Sequence, residues 1–199
     1  MTPPGGSGDP GGPEAGPEPG GEDVPELPTL VGRADTGRAR SVEASRVAMT
    51  QLMGPQEANL MGSVFGGVVL AAVDKIAYVS ASRHAGHPCV TVSVDQVDFR
   101  SPIRIGEIVT LRASVNTVGR TSLEVGVRVV AESVEGDEER HTNSCYVTMV
   151  AVDGDGEPVP VPKLRIETVE EWRRHHDAVE RRRARLTLAE RRRERRRED

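Results

Sequence analysis

The chain has 199 residues and a formal net charge of -5 at pH 7. Only 36% of the residues are hydrophobic and 3% are aromatic, which is low for a chain with a single large core. The longest apolar run, residues 64–73, is about half as long as a bilayer span requires. Together with two cysteines, no Cys-x-x-Cys pair and a Pro/Gly-rich start, this predicts a reduced cytoplasmic protein without a membrane span, a secretory signal, a disulfide scaffold or a metal site.

The composition divides the chain into three parts. Residues 1–44 are rich in proline and glycine, contain few aliphatic side chains and are predicted to be a disordered tail. Residues 45–157 are rich in valine and alanine and are long enough to form one domain with its own core. Residues 158–199 are predicted to form an extended, proline-containing linker followed by an Arg-rich helical tail.

The charged C-terminal helix is interpreted as solvated and frayed at its end, because glutamates recur among its arginines at helical spacing. Docking of Trp172 onto the domain or onto a neighbour is the alternative. Contact with nucleic acid or anionic lipid is not expected, because the acidic residues dilute the positive field.

Within the central part, the patterns predict one helix and five strands. The helix covers residues 65–83 and is ended by Gly86. Apolar and polar residues alternate in the other segments, with a bulge expected near residues 95–96. The predicted strands are 47–52, 90–99, 109–116, 123–131 and 141–152. Short connections make the last four strands antiparallel neighbours, so the fold class is α+β, with one helix on a five-stranded antiparallel sheet.

The predicted helix is apolar on all sides when its residues are placed about 100° apart. One side carries Phe65, Val69, Ala72, Ile76 and Val79, and the opposite side carries Gly67, Leu70, Ala71, Ala77, Tyr78 and Ala81. A helix without a polar stripe is a buried helix. Since a sheet can cover only one side of it, we expect a second subunit to cover the other.

Asp74 lies on that second side, two turns after Gly67. A carboxylate buried there is costly unless it is hydrogen-bonded, and pairing with an arginine in a purely structural role is an open alternative. Gly66 and Gly67 begin the helix, where unpaired N–H groups and the helix dipole suit a phosphate or an oxyanion. An acid and an anion-binding helix end beside a subunit seam together predict a hydrolytic site.

Residues 59–67, NLMGSVFGG, followed by Leu70 and Asp74, resemble the Asn-x-x-Gly-x-x-Phe-Gly-Gly…Asp signature of hotdog-fold acyl-CoA thioesterases, in the branch of the cytosolic acyl-CoA hydrolases. Further matching segments are 93–99, 102–107, 118–122 and 141–146. The resemblance implies a hotdog fold, in which a five-stranded antiparallel sheet wraps around a central helix. It also implies a homodimer with a continuous sheet and the site at the subunit interface, and favours a trimer of dimers.

The same resemblance implies hydrolysis of fatty acyl-CoA to free fatty acid and CoA, with no cofactor beyond the CoA of the substrate. By position, the amide of Gly66 or Gly67 binds the thioester carbonyl, Asp74 acts from the other subunit, and Asn59 positions the water or the acid. Asp74 could activate water or attack the carbonyl directly, and we favour the water route.

Recognition of CoA phosphates requires basic groups, for which Arg120, with Thr121 and Ser122 beside it, is the first candidate. A solvated turn arginine is the alternative for Arg120. We interpret His84, His87 and His141 as surface or loop histidines.

The competing functional hypothesis is a non-catalytic acyl-CoA-binding hotdog module that signals through its C-terminal tail. A hotdog dehydratase ranks lower, because no histidine stands in a matching catalytic setting.

Overall fold

The computed structural model describes residues 24–34, 36–95, 97–136 and 139–198, so the predicted disorder of residues 1–23 lies outside the described residues. In chain order the helices and strands are β1 (Thr29–Val31), β2 (Ala39–Ser41), β3 (Val47–Leu52), α1 (Gly66–Ala85), β4 (Cys89–Val94), β5 (Ile108–Val118), β6 (Ser122–Glu132), β7 (Arg140–Ala151), β8 (Lys163–Ile166) and α2 (Val169–Glu198).

The main sheet has five strands in the order β3-β5-β6-β7-β4, and every neighbouring pair is antiparallel. Its three central strands are 11 or 12 residues long, and buried residues alternate along them with less buried ones. The buried set faces α1 and includes Leu111, Val125, Val147 and Met149, each at most 1% exposed. We call this α1-facing side of the sheet the inner face and the opposite side the outer face. The predicted α+β fold, one helix on a five-stranded antiparallel sheet, is confirmed.

The ends of α1 follow from local chemistry. Phe65 is extended and precedes the first helical residue, Gly66. At the other end, Gly86 adopts the left-handed conformation, with φ 74°, and donates its N–H to the Ser82 carbonyl, a common way to end a helix. The guanidinium of Arg40 also donates to the Arg83 carbonyl, placing positive charge at the negative end of the helix dipole.

One side of α1 is buried against the sheet and the other side is uncovered in the single chain. Val69, Ile76, Ala77 and Ala81 are at most 2% exposed, whereas Val79 is 38% exposed. The predicted division into two sides therefore needs a correction, because Ala77 and Ala81 share the buried side with Val69 and Val79 does not. The small size of the two alanines lets the helix approach the sheet closely.

The irregularity in this strand lies earlier than the bulge predicted near residues 95–96. The pairing of β4 with β7 shifts between Thr91 and Ser93, so Val92 is the extra residue. Gln96 lies outside the described residues. The strand itself ends at Val94, and Val97 to Phe99 do not continue it. The shift in apolar phase along the sequence indicated that the strand is irregular, but it did not show that the bulge is at Val92.

The terminal regions form a second, three-stranded sheet that the composition did not predict. In the order β1-β8-β2, β8 is antiparallel to β1 and parallel to β2. Leu164 and Ile166 of β8 are fully buried and join the main hydrophobic core. The prediction of disorder is therefore wrong for β1 and β2, and part of the predicted linker is β8. Each strand is short and gains stability only by pairing with residues far away in the chain.

The C-terminal helix is docked along its first half. Ala178 is 0% exposed and Trp172 packs against the main core. Arg181 pairs with Glu124 of β6 at 2.7 Å, and its guanidinium carbon lies 3.5 Å from the centre of the Tyr146 ring. Residues 186–197 are exposed, so the interpretation as a solvated helix holds only for the second half. None of the described helices is long and apolar enough to cross a membrane.

In the last turn of α1, His84 is fully buried, so its interpretation as a surface histidine is wrong. Its Nε2 donates to the Pro162 carbonyl at 3.1 Å, while its Nδ1 has no hydrogen-bond partner among the described residues. Burial lowers the pKa of His84, the bond to Pro162 opposes this, and the nearby charge of Arg40 lowers it further. The lowered pKa favours the neutral form of the ring in the folded protein.

We predict that stability is lost on acidification through His84. Because the folded pKa is depressed, the unfolded chain binds more protons below about pH 6.5, so stability is full above that pH and falls as the pH decreases. The thermal midpoint should decrease from about pH 7 to about pH 5, and less steeply in His84→Gln. The control is His87→Gln, which replaces an exposed histidine, and equal slopes in the two variants would contradict the role of His84.

Candidate active site

Backbone hydrogen bonds hold in place the two residues that precede α1. The Val64 N–H donates to the Ile103 carbonyl and the Phe65 N–H to the Glu57 carbonyl, each at 2.8 Å. The next two residues are Gly66 and Gly67, and the first N–H groups of a helix lack intrahelical partners. The helix end thus presents amide donors together with the positive end of its dipole.

The two glycines stand close to two aromatic rings. A Cβ atom on Gly66 would lie 3.3 Å from Cζ of Phe99, and one on Gly67 would overlap the ring of Phe65. Both rings stand partly in solvent, with Phe65 58% and Phe99 49% exposed. The helix end is therefore flanked by two aromatic rings that a single chain leaves partly uncovered.

Asp74 lies on the uncovered side of α1. Its Oδ1 accepts a hydrogen bond of 2.6 Å from the hydroxyl of Thr91 on the edge strand β4. The carboxylate is exposed in the single chain, so the expected burial of this group is not met by one subunit. This pair links the helix to the open edge of the sheet.

Thr91 is a site residue that sequence reasoning missed. It stands in an alternating segment, where its polar side chain looks like an ordinary solvent-facing strand position. The bulge at Val92 lies next to it and changes which residues face the inner side of the sheet. The apolar phase change near residues 95–96 indicated an irregular strand but did not single out Thr91.

The side chain of Asn59 is used within its own loop. Its Oδ1 accepts from the backbone N–H groups of Met61 at 2.8 Å and Ser63 at 3.2 Å, and its Nδ2 donates to the Ser63 hydroxyl at 2.9 Å. These bonds shape the turn that leads into α1. In the single chain Asn59 therefore organises the loop before the helix, and its predicted role on water or on the acid stays a prediction.

Arg120 and Thr121 lie in the hairpin between β5 and β6, and Ser122 begins β6. The Gly119 N–H donates to the Ser122 carbonyl at 2.6 Å, and the Ala151 N–H donates to the Thr121 carbonyl at 2.9 Å. Arg120 is exposed, and its carbonyl accepts from the Val161 N–H at 2.9 Å. β7 lies between β6, which follows the hairpin, and β4, which carries Thr91. Two strand spacings, about 10 Å in total, therefore separate the hairpin end of β6 from β4.

One chain does not bring all the predicted site residues together. Asp74 follows Gly67 by two turns of the same helix, which places them roughly 10 Å apart along the axis. Carboxylate and amides could therefore act on one bond only if they came from different subunits. Among the described residues, no group of three histidine, cysteine or acidic side chains is placed to hold a metal ion.

The surface around Asp74 is apolar and open rather than a closed pocket. Leu70 and Tyr78 lie one turn before and one turn after Asp74 on α1 and are exposed apolar side chains. Other exposed apolar side chains occur on the preceding loop, on β4 and after β4: Leu60, Met61, Phe65, Val90, Val94 and Phe99. A groove of about 560 Å³ lies on the outer face of the sheet, and none of the predicted site residues is among those that line it. A site at a seam between two subunits would lack one of its walls in a single chain, which agrees with the open surface at Asp74.

Comparison with known proteins places this geometry in a family. The model of the Thioesterase superfamily matches residues 61–136, a range that includes Gly66, Gly67, Asp74 and Thr91. The uncharacterized acyl-CoA thioester hydrolase YkhA of Bacillus subtilis is 38% identical over 147 residues, which are 74% of this chain and 86% of that protein.

Two solved structures are similar over most of their length. A hexameric acyl-CoA thioesterase has a TM-score of 0.74 at 41% identity, covering 76% of this chain and 97% of that one. An acyl-CoA hydrolase from Staphylococcus aureus, solved in complex with butyryl-CoA and CoA, has a TM-score of 0.72 at 34% identity, covering 78% of this chain and 97% of that one. Variants of the same enzyme with alanine in place of an aspartate, an asparagine or a threonine have also been solved. The chain therefore belongs to the thioesterase superfamily, as a hotdog-fold acyl-CoA thioesterase.

Proposed function

We propose that this protein hydrolyses fatty acyl-CoA to free fatty acid and CoA at a site built from Asp74 and Thr91 of one subunit and the α1 start of another. The observation that carries the proposal is the Thr91–Asp74 hydrogen bond on the uncovered side of α1. It places an oriented carboxylate where a second subunit would bring a helix end with free amides.

The Staphylococcus aureus variants support these residue roles. In that enzyme the replaced asparagine lies 15 residues before the replaced aspartate, and the replaced threonine lies 17 residues after it. Asn59, Asp74 and Thr91 have the same two separations. We infer that Asp74 is the catalytic acid–base residue, Thr91 orients it, and Asn59 holds the loop that positions the helix start and the attacking water.

The proposed reaction needs only water and the groups already described. Asp74 accepts a proton from water as the oxygen bonds to the thioester carbonyl carbon, and the Gly66 and Gly67 amides of the second subunit stabilise the developing oxyanion. The carbon–sulfur bond then breaks, and the proton held by Asp74 passes to the departing CoA thiolate. No cofactor beyond the CoA of the substrate takes part in this scheme.

The proposed dimer is supported by two features of the uncovered surface. Leu70, Tyr78 and Val79 are exposed apolar residues on the side of α1 that carries Asp74, and exposed apolar surface is typical of interaction sites. β4 is an edge strand, so the backbone groups on its free edge could form hydrogen bonds with β4 of a second subunit and continue the sheet. We propose a homodimer through this edge and a trimer of dimers, as in the hexameric structure at 41% identity.

The remaining expectations are proposals of the same kind. Arg120, Thr121 and Ser122 are proposed to contact the CoA phosphates, supported by the exposure of Arg120 and the partial exposure of Thr121 and Ser122 at the β5–β6 hairpin. A cytoplasmic location is supported by Cys89 and Cys145, which are both buried free thiols, as is usual in a reducing compartment.

Replacing Asp74 with asparagine should abolish hydrolysis without unfolding the protein. Loss of a general base should lower kcat by about 10²- to 10⁴-fold, and the exposed position of the side chain should leave the thermal midpoint nearly unchanged. The measurement is thiol release from a series of acyl-CoA chain lengths, with Asp155→Asn in an exposed turn as the control. Wild-type turnover in Asp74→Asn would refute the catalytic role, and tight binding of acyl-CoA without turnover by the wild type would favour the non-catalytic module.

Thr91 can be tested by a pair of substitutions of similar size. Thr91→Val removes the hydroxyl that donates to Asp74 and should lower kcat by about 10-fold or more, since hydrogen bonds to charged groups contribute roughly 1.5–3 kcal/mol. Thr91→Ser keeps the hydroxyl and should retain most of the activity. If Thr91→Val and Thr91→Ser have equal kcat, the hydrogen bond does not orient the catalytic carboxylate.

A further inference from the structure

A small pocket lies on the outer face of the main sheet, beside α2 and apart from the Asp74 surface. Its volume is about 220 Å³. The residues that matter for its chemistry are Val92 of β4, Ser122 and Glu124 of β6, Thr148 of β7, and Arg182 and Arg185 of α2. The pocket thus joins the edge strand, the hairpin end of the sheet and the docked helix.

The charges around this pocket do not balance. Glu124 is paired with Arg181 at 2.7 Å, and both carboxylate oxygens of Asp95 accept from Nη1 of Arg185, at 2.8 and 2.9 Å. Arg182 has no carboxylate partner within the described parts of the chain. The two acidic groups near the pocket are therefore neutralised, and the charge of Arg182 is left over.

The surroundings of Arg182 disfavour its positive charge. Partial burial, and then the nearby charges of Arg33 and Arg185, lower the pKa of Arg182. The guanidinium is held over Gly119, because a Cβ atom there would lie 2.7 Å from Nη1 of Arg182 and 2.6 Å from the Ser122 hydroxyl. An arginine kept at this position against burial and repulsion is stabilised if an anion binds to it.

The pocket also offers an unused hydroxyl. Oγ1 of Thr148 is buried without a hydrogen-bond partner among the described residues, although buried hydroxyls normally have one. Ser122, which lines the same pocket, adds a second hydroxyl. A guanidinium with two hydroxyl donors suits the several oxygens of a phosphoryl group, and the planar guanidinium can donate two parallel bonds to it.

We propose that Arg182, with Ser122 and Thr148, forms a binding site for a phosphoryl group on the outer face of the sheet. The site adjoins Val92, the bulged residue next to Thr91, so it lies on the other side of the same edge strand as the proposed catalytic pair. The phosphoryl group could belong to a CoA molecule or to a free phosphate. Only the first source rests on the proposed thioesterase function.

The first test measures thermal unfolding of the full chain at increasing inorganic phosphate and constant ionic strength. The wild-type midpoint should rise in a saturable manner, because phosphate binds the folded state alone. Arg182→Gln should lose this rise. The matched control is Arg183→Gln, which replaces the exposed neighbouring arginine paired with Glu180 and should keep it.

The thermal midpoint measured without phosphate distinguishes a binding role of Arg182 from a structural one. Arg182→Gln removes a repelled, partly buried charge, so its midpoint without phosphate should be no lower than that of the wild type. Ser122→Ala gives a second variant in which the phosphate response should weaken. An equal phosphate response in wild type, Arg182→Gln and Arg183→Gln would overturn the proposal.

The source of the phosphoryl group follows from calorimetric titration with CoA and with 3′-dephospho-CoA. If the 3′-phosphate of CoA occupies the site, Arg182→Gln should weaken CoA binding by about 10-fold and leave dephospho-CoA binding unchanged. If both affinities are unchanged while the phosphate response is lost, the site takes a free phosphate. Neither titration requires turnover, so failure of the Asp74 tests would not be mistaken for failure of this site.

Discussion

Burial of α1 on one side only is the constraint on which the rest of this structure depends. The inner face of the sheet covers Val69, Ile76, Ala77 and Ala81, and no other described element covers the opposite side. That opposite side carries Leu70, Tyr78 and Val79, together with Asp74. Because exposed apolar surface is unfavourable in water, the same surface that leaves the carboxylate accessible also creates the driving force for association.

The Thr91–Asp74 hydrogen bond connects this helix to the open edge of the sheet. A residue on an edge strand has its position set by pairing on one side only, and β4 is further disturbed by the bulge at Val92. Nη1 of Arg185 donates to both carboxylate oxygens of Asp95, and this ion pair fixes the chain directly after β4 to α2. The geometry of the proposed catalytic pair therefore depends on elements on both faces of the sheet.

The terminal segments contribute more than their composition indicates. β8 brings Leu164 and Ile166 into the core and pairs with strands more than a hundred residues earlier in the chain. The first half of α2 combines ordinary burial at Ala178 with the Arg181–Glu124 pair. A Pro/Gly-rich or Arg-rich segment that looks too polar to fold alone can thus become ordered, because the finished domain supplies the partners.

The sequence by itself determined the existence of α1, the glycines at its two ends and the alternation of the long strands. It also identified Asp74, Gly66 and Gly67 as candidate catalytic residues. Each of these features depends on residues that are close together in the chain. Tertiary structure alone decided the bulge at Val92, the pairing of Thr91 with Asp74, the burial of His84 and the second sheet. These features depend on which strands become neighbours and on which face of the sheet a side chain lies after the bulge. Short-range patterns in a sequence carry no record of such long-range pairings.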